Sequence, residues 1–273
     1  MFNHVLLGIE GSGRAREMMN MLLPLPSFAR TKITLLHVVP SQITAEGVEE
    51  YRQAGQKILE RESAALKLGA ENSYTTILAE GDPKTEICRV ADELKPDFLI
   101  MGSRGLGRIQ AILSNSVSQY VFQLASVPML LVKDDIYIQT IRRVLIALDR
   151  SAAAQKCLEF ALNFLQGTKD IDVYVVHVTN KEMGQDEVLA EAGLKLQRMG
   201  FSAKLLPRVG ETGKEICACA EENNINLLFL ASPERRPSIA RGLPDLDRLL
   251  GSSVSDYVRV HAPCGVMLVR TEE

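Results

Sequence analysis

Three features of other protein classes are missing from this sequence: an excess of basic charge, a long apolar run and a complete metal-binding cysteine motif. The formal net charge is −3, which argues against a nucleic-acid partner because phosphate-backbone binding needs a concentrated basic surface. No apolar run approaches membrane-spanning length. Residues 1–10 lack the basic start and sustained apolar stretch of a signal peptide. We therefore expect a cytoplasmic protein that binds neither nucleic acid nor membrane.

The five cysteines are odd in number and lie mostly within apolar periodic segments. Cys217 and Cys219 are separated by one residue, too close for the C-x2-C spacing of a zinc knuckle, and no histidine follows at a ligand spacing. The sequence thus predicts reduced packing cysteines and no metal site formed by the protein alone.

One pattern occurs twice along the 273 residues. Four segments recur in the same order: 4–10 with 143–149, 32–40 with 172–180, 81–88 with 210–217, and 116–121 with 253–258. Such matches indicate a tandem duplication, with domains at 1–136 and 137–273. The closer spacing of the middle segments in the second copy predicts a shorter middle helix there.

Each copy alternates apolar strands with helical segments. Strands are predicted near 4–10, 32–39, 74–79, 97–101 and 128–132, with their counterparts in the second copy. Strands of this kind indicate an α/β fold with a parallel sheet covered on both faces. Ligands of such sheets bind outside the carboxyl ends of the strands, where the strand order reverses. Glu10, Val38 and Gly102 fall at those ends.

The stretch 102–118 follows an apolar strand and precedes a helical pattern. A strand, a glycine-bearing turn and a helix start would present backbone N–H groups to an anion, so this stretch predicts a phosphate cradle. Ser116 and Ser118 are candidate N-caps of the helix that follows. The alternative for glycines in this setting is a tight loop that needs positive φ.

The spacing Gly102-x2-Gly105-x9-Asn115-Ser116 resembles the nucleotide-binding signature of the universal stress protein family, G-x2-G-x9-G-[S/T]. Asn115 replaces one family glycine, and its side chain occupies space where a phosphate would approach. The whole chain resembles two family domains fused head to tail. The resemblance implies two doubly wound five-stranded sheets of order 3-2-1-4-5, similar to adenine-nucleotide hydrolases. It also implies binding of ATP or another adenine nucleotide, with or without Mg²⁺.

The resemblance also assigns candidate ligand-binding residues. They are Glu10, Gly11, Ser12, Val38, Gly102, Arg104, Gly105, Asn115, Ser116, Val117 and Ser118 in the first copy, and Asp149, Ser151, Val178, Gly242, Ser252, Ser253 and Val254 in the second. Glu10 and Asp149 would orient the nucleotide or hold its divalent ion, and the backbone of Val38 or Val178 would meet adenine. The alternative for Glu10 is a solvated carboxylate that caps the next helix.

The second cradle departs further from the signature than the first. Ala231 stands where the first copy has Gly102, and an insertion at 233–240 follows it. The sequence therefore predicts that ATP binds the first copy more tightly than the second.

No catalytic residue is predicted. His37 and His177 lie inside apolar strands, with no Asp, Ser or Cys placed nearby by the sequence, and are interpreted as packing histidines. Ser12 and Ser151 lack the strained elbow of a nucleophile and are interpreted as helix caps. ATP hydrolysis, where it occurs, would be slow.

Two classes of function remain open from the sequence. The first is a nucleotide-binding regulator of the stress response, and the second is a scaffold or interaction protein whose cradles are vestigial. In either case, antiparallel pairing of 128–133 with 264–270 would make one chain resemble a homodimer of the family. The outer faces would allow a further homodimer.

Overall fold

The computed structural model describes residues 1–41, 45–103, 117–133, 140–180, 186–232 and 253–270. The chain divides into two compact units, Met1–Asp135 and Ile136–Glu273, hereafter unit 1 and unit 2. Within the described ranges, no helix is both long and apolar enough to cross a membrane.

Unit 1 alternates strands and helices as the sequence predicts. Its elements are β1 (His4–Gly8), α1 (Arg14–Leu22), β2 (Lys32–Val39), α2 (Ala45–Ala64), β3 (Ser73–Glu80), α3 (Pro83–Leu94), β4 (Phe98–Ser103), α4 (Val117–Leu124) and β5 (Met129–Lys133). All neighbouring strands pair in parallel, in the order β3-β2-β1-β4-β5. The predicted fold class and strand order are confirmed.

Unit 2 repeats this arrangement. Its elements are β6 (Arg143–Leu148), α5 (Ala152–Leu165), β7 (Asp172–Thr179), α6 (Glu187–Arg198), β8 (Lys204–Val209), α7 (Thr212–Glu222), β9 (Leu227–Ser232), α8 (Val254–His261) and β10 (Gly265–Arg270). The order β8-β7-β6-β9-β10 is again parallel throughout. Helix α6 has 12 residues and its counterpart α2 has 20, so the predicted shorter middle helix is confirmed.

The central strands are apolar because helices cover both faces of each sheet. Residues 5–7 of β1 and 144–146 of β6 are fully buried. The outermost strand of unit 2, β8, is mostly exposed and contains Pro207, which has no N–H for a sheet ladder. Helix and strand layers of this kind leave the strand ends as the places where polar groups gather.

A side-chain oxygen fixes the beginning of the first strand in both units. Oδ2 of Asp97 accepts hydrogen bonds from the backbone N–H groups of Asn3 and His4, at 2.5 and 2.9 Å. In unit 2, Oδ1 of Asn226 accepts from the backbone N–H groups of residues 142 and 143, both at 2.9 Å. The same amino-terminal clasp is thus built twice, once with a carboxylate and once with an amide.

Three phenylalanines pack together in the core of unit 1. The ring of Phe2 lies 4.9 Å from Phe28 and 5.3 Å from Phe98, measured between centroids, and the pair Phe28 and Phe98 is edge-to-face at 6.0 Å. Phe28 and Phe98 are completely buried. Because Phe2 precedes β1 and Phe98 begins β4, this cluster lies at the amino ends of the strands, opposite the predicted ligand site.

We expect Phe98→Ala to destabilise unit 1 by about 3–5 kcal/mol, because it leaves a cavity among aromatic rings. Guanidinium-induced unfolding would measure the change, with amide exchange in β1 and β4 to assign it to unit 1. The control is Tyr74→Ala on the exposed strand β3, which should cost well under 1 kcal/mol. Equal losses in the two variants would show that the cluster is not a stabilising core.

Candidate functional site

The loop after β1 contains two glycines in a left-handed conformation. The φ angle is +93° at Gly11 and +83° at Gly13, values that cost a residue with a Cβ atom considerable strain. Helix α1 begins immediately after Gly13, its N-cap residue. The chain can therefore turn sharply from the end of β1 into α1 and leave Glu10 at the carboxyl end of the sheet.

Glu10 lies against the backbone of Gly102. A Cβ atom at position 102 would be 2.5 Å from Oε1 of Glu10 and 3.1 Å from its Cδ, so glycine gives this carboxylate the room it takes. The Ser12 hydroxyl donates to Oε1 of Glu10 at 2.5 Å. Two of the predicted site residues of unit 1, Glu10 and Gly102, are thus in direct contact.

The interpretation of Ser12 as a helix cap is wrong. The N-cap of α1 is Gly13, which makes no side-chain cap hydrogen bond. The Ser12 hydroxyl is used by Glu10 instead, and it lies 3.4 Å from the backbone nitrogen of Arg14, at the long limit of a hydrogen bond. The left-handed residue at 13 shifts the helix start by one position, which moves the serine away from the capping position.

Glu62, a buried residue of α2, is connected to the same loop through two arginines. Glu62 is 2% exposed, and its carboxylate accepts hydrogen bonds from Nε of Arg16 and Nη2 of Arg61, both at 2.9 Å. Nη2 of Arg61 also donates to the carbonyl oxygen of Gly11 at 2.6 Å. We call Arg16, Glu62 and Arg61 the loop clamp, because they connect α1 and α2 to the loop after β1.

In unit 2 the corresponding loop is built differently. Ser151 is the N-cap of α5, and its hydroxyl accepts from the backbone N–H of Ala154 at 3.0 Å, which confirms the capping interpretation. The backbone N–H of Ser151 donates to Oδ1 of Asp149 at 2.8 Å. The carboxylate of Asp149 is therefore bonded to the backbone of its own loop, whereas the longer side chain of Glu10 extends to Gly102 of the neighbouring strand β4.

A cavity of about 280 Å³ opens at the carboxyl ends of the unit 2 strands. Its lining includes four predicted site residues: Asp149, Val178, Ser253 and Val254. The apolar part of the wall consists of Ala147, Leu148, Ala154, Val176, Ile216, Leu230 and Ala231. The elements that contribute are β6, β7, β9 and the first turns of α5, α7 and α8, so the cavity lies where the parallel fold is expected to bind ligands.

Hydroxyl groups form the polar part of the cavity. The lining includes Thr212, Ser232, Ser253 and Ser255. The hydroxyls of Ser253 and Ser255 are 3.0 Å apart, and Nη1 of Arg270 donates to Oγ of Ser232 at 3.0 Å. Oγ of Ser253 also accepts from the backbone N–H of Asp256 as the N-cap of α8. The hydroxyl of Ser253 donates to Oδ2 of Asp256 at 2.9 Å, so its one proton is already used within the protein.

Neither strand histidine is part of the lining of the unit 2 cavity. Nδ1 of His37 donates to the carbonyl oxygen of Ile9 at 2.6 Å. Nδ1 of His177 donates to Oδ2 of Asp186 at 2.8 Å, so the expectation that no aspartate lies near it is wrong. Asp186 is nine residues farther along the chain and caps α6 with its other oxygen, and a contact across a loop of this length is not visible in strand periodicity.

The cysteines behave as packing residues. Cys88, Cys157, Cys219 and Cys264 are buried, and each of the five cysteines has its sulfur as a thiol. Burial, followed by the negative charge of Asp149, raises the pKa of the Cys157 thiol, and burial raises the pKa of Cys219. Both thiols therefore stay protonated and unreactive at neutral pH. Among the described residues, no group of three or more potential ligands could hold a metal ion.

Several predicted site residues cannot be placed. Arg104, Gly105, Asn115, Ser116, Gly242 and Ser252 lie outside the described residues. Of the others, Val38 is at the end of β2, paired with Ala79, and Val117 is the first residue of α4. Ser118 follows within that helix and is buried, so it is not an N-cap.

The loop clamp and the cavity hydroxyls of Thr212, Ser232 and Ser255 were not predicted from the sequence. Glu62 falls three residues after the buried Leu59, on the same face of α2. A carboxylate on an apolar helix face is the sequence feature that could have indicated a buried ion pair. Thr212 and Ser255 lie at the beginnings of α7 and α8. Their signal was polar residues at the starts of helices that follow sheet strands.

Comparison with known proteins shows which family has this architecture. The model of the universal stress protein family matches residues 1–133 and again 140–270. The chain belongs to the universal stress protein family. It is a tandem member, with one family domain in each half.

Individual relatives agree with this assignment. Universal stress protein YxiE of Bacillus subtilis is 31% identical over 151 residues, which cover 49% of this chain and all of that protein. Universal stress protein Slr1230 of Synechocystis is 26% identical over 232 residues, which cover 83% of this chain and 72% of that protein. The crystal structure of a universal stress protein from Archaeoglobus fulgidus aligns with a TM-score of 0.78 at 23% identity, over 99% of this chain and 97% of that one, which shows a shared fold.

The loop clamp generates a stability prediction. We expect Glu62→Gln to destabilise unit 1 by about 3 kcal/mol, because it removes the buried negative charge that Arg16 and Arg61 contact. The matched control is Glu71→Gln, which breaks the exposed Arg30–Glu71 pair and should cost at most about 1 kcal/mol. Denaturant unfolding of the intact chain would compare them. A loss no larger in Glu62→Gln than in Glu71→Gln would contradict a structural role for the clamp.

Proposed function

We propose that this protein is an adenine-nucleotide-binding regulator of the stress response, with ATP or a related nucleotide bound at the carboxyl ends of its strands. The observation that carries the proposal is the cavity of unit 2, which brings Asp149, Val178, Ser253 and Val254 together. The resemblance in sequence assigns these four residues to a nucleotide site. They come from three separate segments of the chain, and their convergence on one cavity supports a common ligand.

The cavity has an apolar side that can contact the base of a nucleoside and a polar side that can contact its sugar. Val176, Val178 and Ile216 supply an apolar wall for a purine ring. Asp149 follows β6, the first strand of unit 2, and its carboxylate can accept hydrogen bonds from ribose hydroxyls. The hydroxyl of Thr212 and the N-terminus of α8 are donors for a more polar group in the same cavity.

A regulatory role fits the chemistry better than rapid turnover. His177 is hydrogen-bonded to Asp186, but it is buried and does not line the unit 2 cavity. Arg16 and Arg61 contact Glu62. Because no histidine belongs to the lining of this cavity, we expect slow ATP hydrolysis at most. Mg²⁺ would accompany the phosphates, with Glu10 or Asp149 as its carboxylate partner.

The alternative is a scaffold or interaction protein with vestigial cradles. It is favoured by Ala231, which places a methyl group in the unit 2 cavity where the family signature has glycine. In both cases the protein is expected in the cytoplasm. Pairing of β5 with β10, and a homodimer beyond it, remain predictions from the sequence.

Filling the unit 2 cavity distinguishes the two functions. Val254 lines the cavity and is 39% exposed, so Val254→Trp should leave the fold intact and lower ATP affinity at least tenfold by occupying the space. The control is Val209→Trp on β8, 48% exposed and not part of the lining. Calorimetric titration of the intact chain would measure both. ATP binding that is unchanged in Val254→Trp would contradict a site in the unit 2 cavity, and ATP binding that is undetectable in the unmodified protein would favour the scaffold.

A further inference from the structure

Strand β3 is the outermost strand of unit 1. Within the described ranges it pairs with β2 and with no other strand. Residues 73–76 are exposed, and Tyr74 keeps 45% of its surface. An outermost strand of this kind presents a row of backbone N–H and C=O groups on the side away from its neighbour.

The direction of these backbone groups follows from one hydrogen bond at the end of β3. The N–H of Gly81 donates to the carbonyl oxygen of Val39 in β2 at 3.0 Å. Backbone groups of successive residues in a strand point to opposite sides, and the register of β3 with β2 is continuous from residue 73 to residue 80. The N–H groups of Tyr74, Thr76 and Leu78 therefore point away from β2.

The amino acids of β3 leave this edge open to another strand. Residues 73–79 contain no charged residue, no proline and no glycine, and most of them are aromatic, β-branched or aliphatic, the types that favour strands. The equivalent strand β8 of unit 2 contains Lys204, Pro207 and Arg208 instead. Charges and proline are the residues with which proteins protect an outermost strand, so the open edge belongs to unit 1.

We propose that β3 is a docking edge for a second copy of this chain, whose own β3 pairs with it in antiparallel orientation about a two-fold axis at Thr76. In this register the two Thr76 residues lie opposite each other, and Tyr74 of each copy lies opposite Leu78 of the other. Both members of each pair have outward backbone groups, so each pair can exchange two hydrogen bonds. The proposal does not depend on nucleotide binding.

The side chains of β3 favour a second copy as the occupant. In the same register, Thr75 of one copy lies opposite Ile77 of the other, and cross-strand pairs of β-branched, aromatic and aliphatic residues stabilise a sheet. Glu80 lies opposite Asn72, so that no like charges meet along the seam. A strand from a charged partner would find no charge between residues 73 and 79 to pair with, whereas an uncharged strand is its own complement in an isologous contact.

The intact chain should form a concentration-dependent dimer, because pairing of one strand buries less area than a standard protein interface. Sedimentation of the unmodified protein over a concentration series measures the association. Amide exchange resolved by residue in 73–80 locates the contact. We expect exchange at Tyr74, Thr76 and Leu78 to slow as the concentration rises, and exchange at Thr75 and Ile77, whose N–H groups face β2, to stay unchanged.

A proline at position 76 tests the backbone contact. Thr76→Pro removes an outward donor and leaves the ladder between β3 and β2 in place, so dimerisation should weaken by about tenfold or more. The matched control is Leu205→Pro, which precedes Gly210 in β8 as Thr76 precedes Gly81 in β3, and it should change dimerisation less than about threefold. Thermal unfolding followed by circular dichroism verifies that both variants are folded.

An exchange of charges tests the two-fold axis without proline. Thr76→Lys and Thr76→Glu each place like charges opposite each other at the axis, so each variant alone should dimerise about tenfold more weakly than the unmodified chain. An equimolar mixture of the two should recover dimerisation to within about threefold, because opposite charges then face each other.

Three results would overturn the proposal. The first is dimerisation that is unchanged in Thr76→Pro or weakened equally in Leu205→Pro. The second is a mixture of Thr76→Lys and Thr76→Glu that dimerises no better than either variant alone. The third is an unmodified chain that stays monomeric up to about 1 mM, the weak end of specific association, which would leave an extended segment of a different protein as the strand that β3 accepts.

Discussion

The geometry of the parallel strand pair is the constraint on which the rest of this structure depends. Parallel neighbours cannot be joined by a short turn, so each strand is followed by a helix that returns the chain to the other end of the sheet. Both faces are then covered, which explains why the central strands are apolar along their whole length. All carboxyl ends emerge together, and loops distant in the chain become neighbours there.

This constraint separates stability from ligand chemistry within each unit. The aromatic cluster of Phe2, Phe28 and Phe98 and the clasp formed by Asp97 lie where β1 and β4 begin. The glycine loop and the carboxylates lie where the strands end. A substitution at one end therefore need not disturb the other, and the two copies could diverge at their ligand-facing ends while they kept one strand order.

Sequence reasoning succeeded where the physical cause was local or periodic. The strands, the strand order and the shorter α6 follow from apolar runs, spacing and the repeat, and Ser151 caps its helix as its position suggests. Reasoning failed where a contact joins distant parts of the chain. Ser12 bonds to Glu10 because of a left-handed residue at 13, and the Arg16–Glu62 contact joins residues 46 apart. Neither the sign of a φ angle nor a contact between distant residues produces a periodic pattern in the amino-acid sequence.

Pro207 in β8 has a consequence for how unit 2 behaves among other proteins. An outermost strand with unpaired N–H and C=O groups is a template on which a foreign strand can add, and a proline removes a donor from that template. A chain segment that tried to extend the sheet at β8 would meet an interrupted ladder. Pro207 thus protects unit 2 against aggregation through strand addition, without any change to its apolar interior.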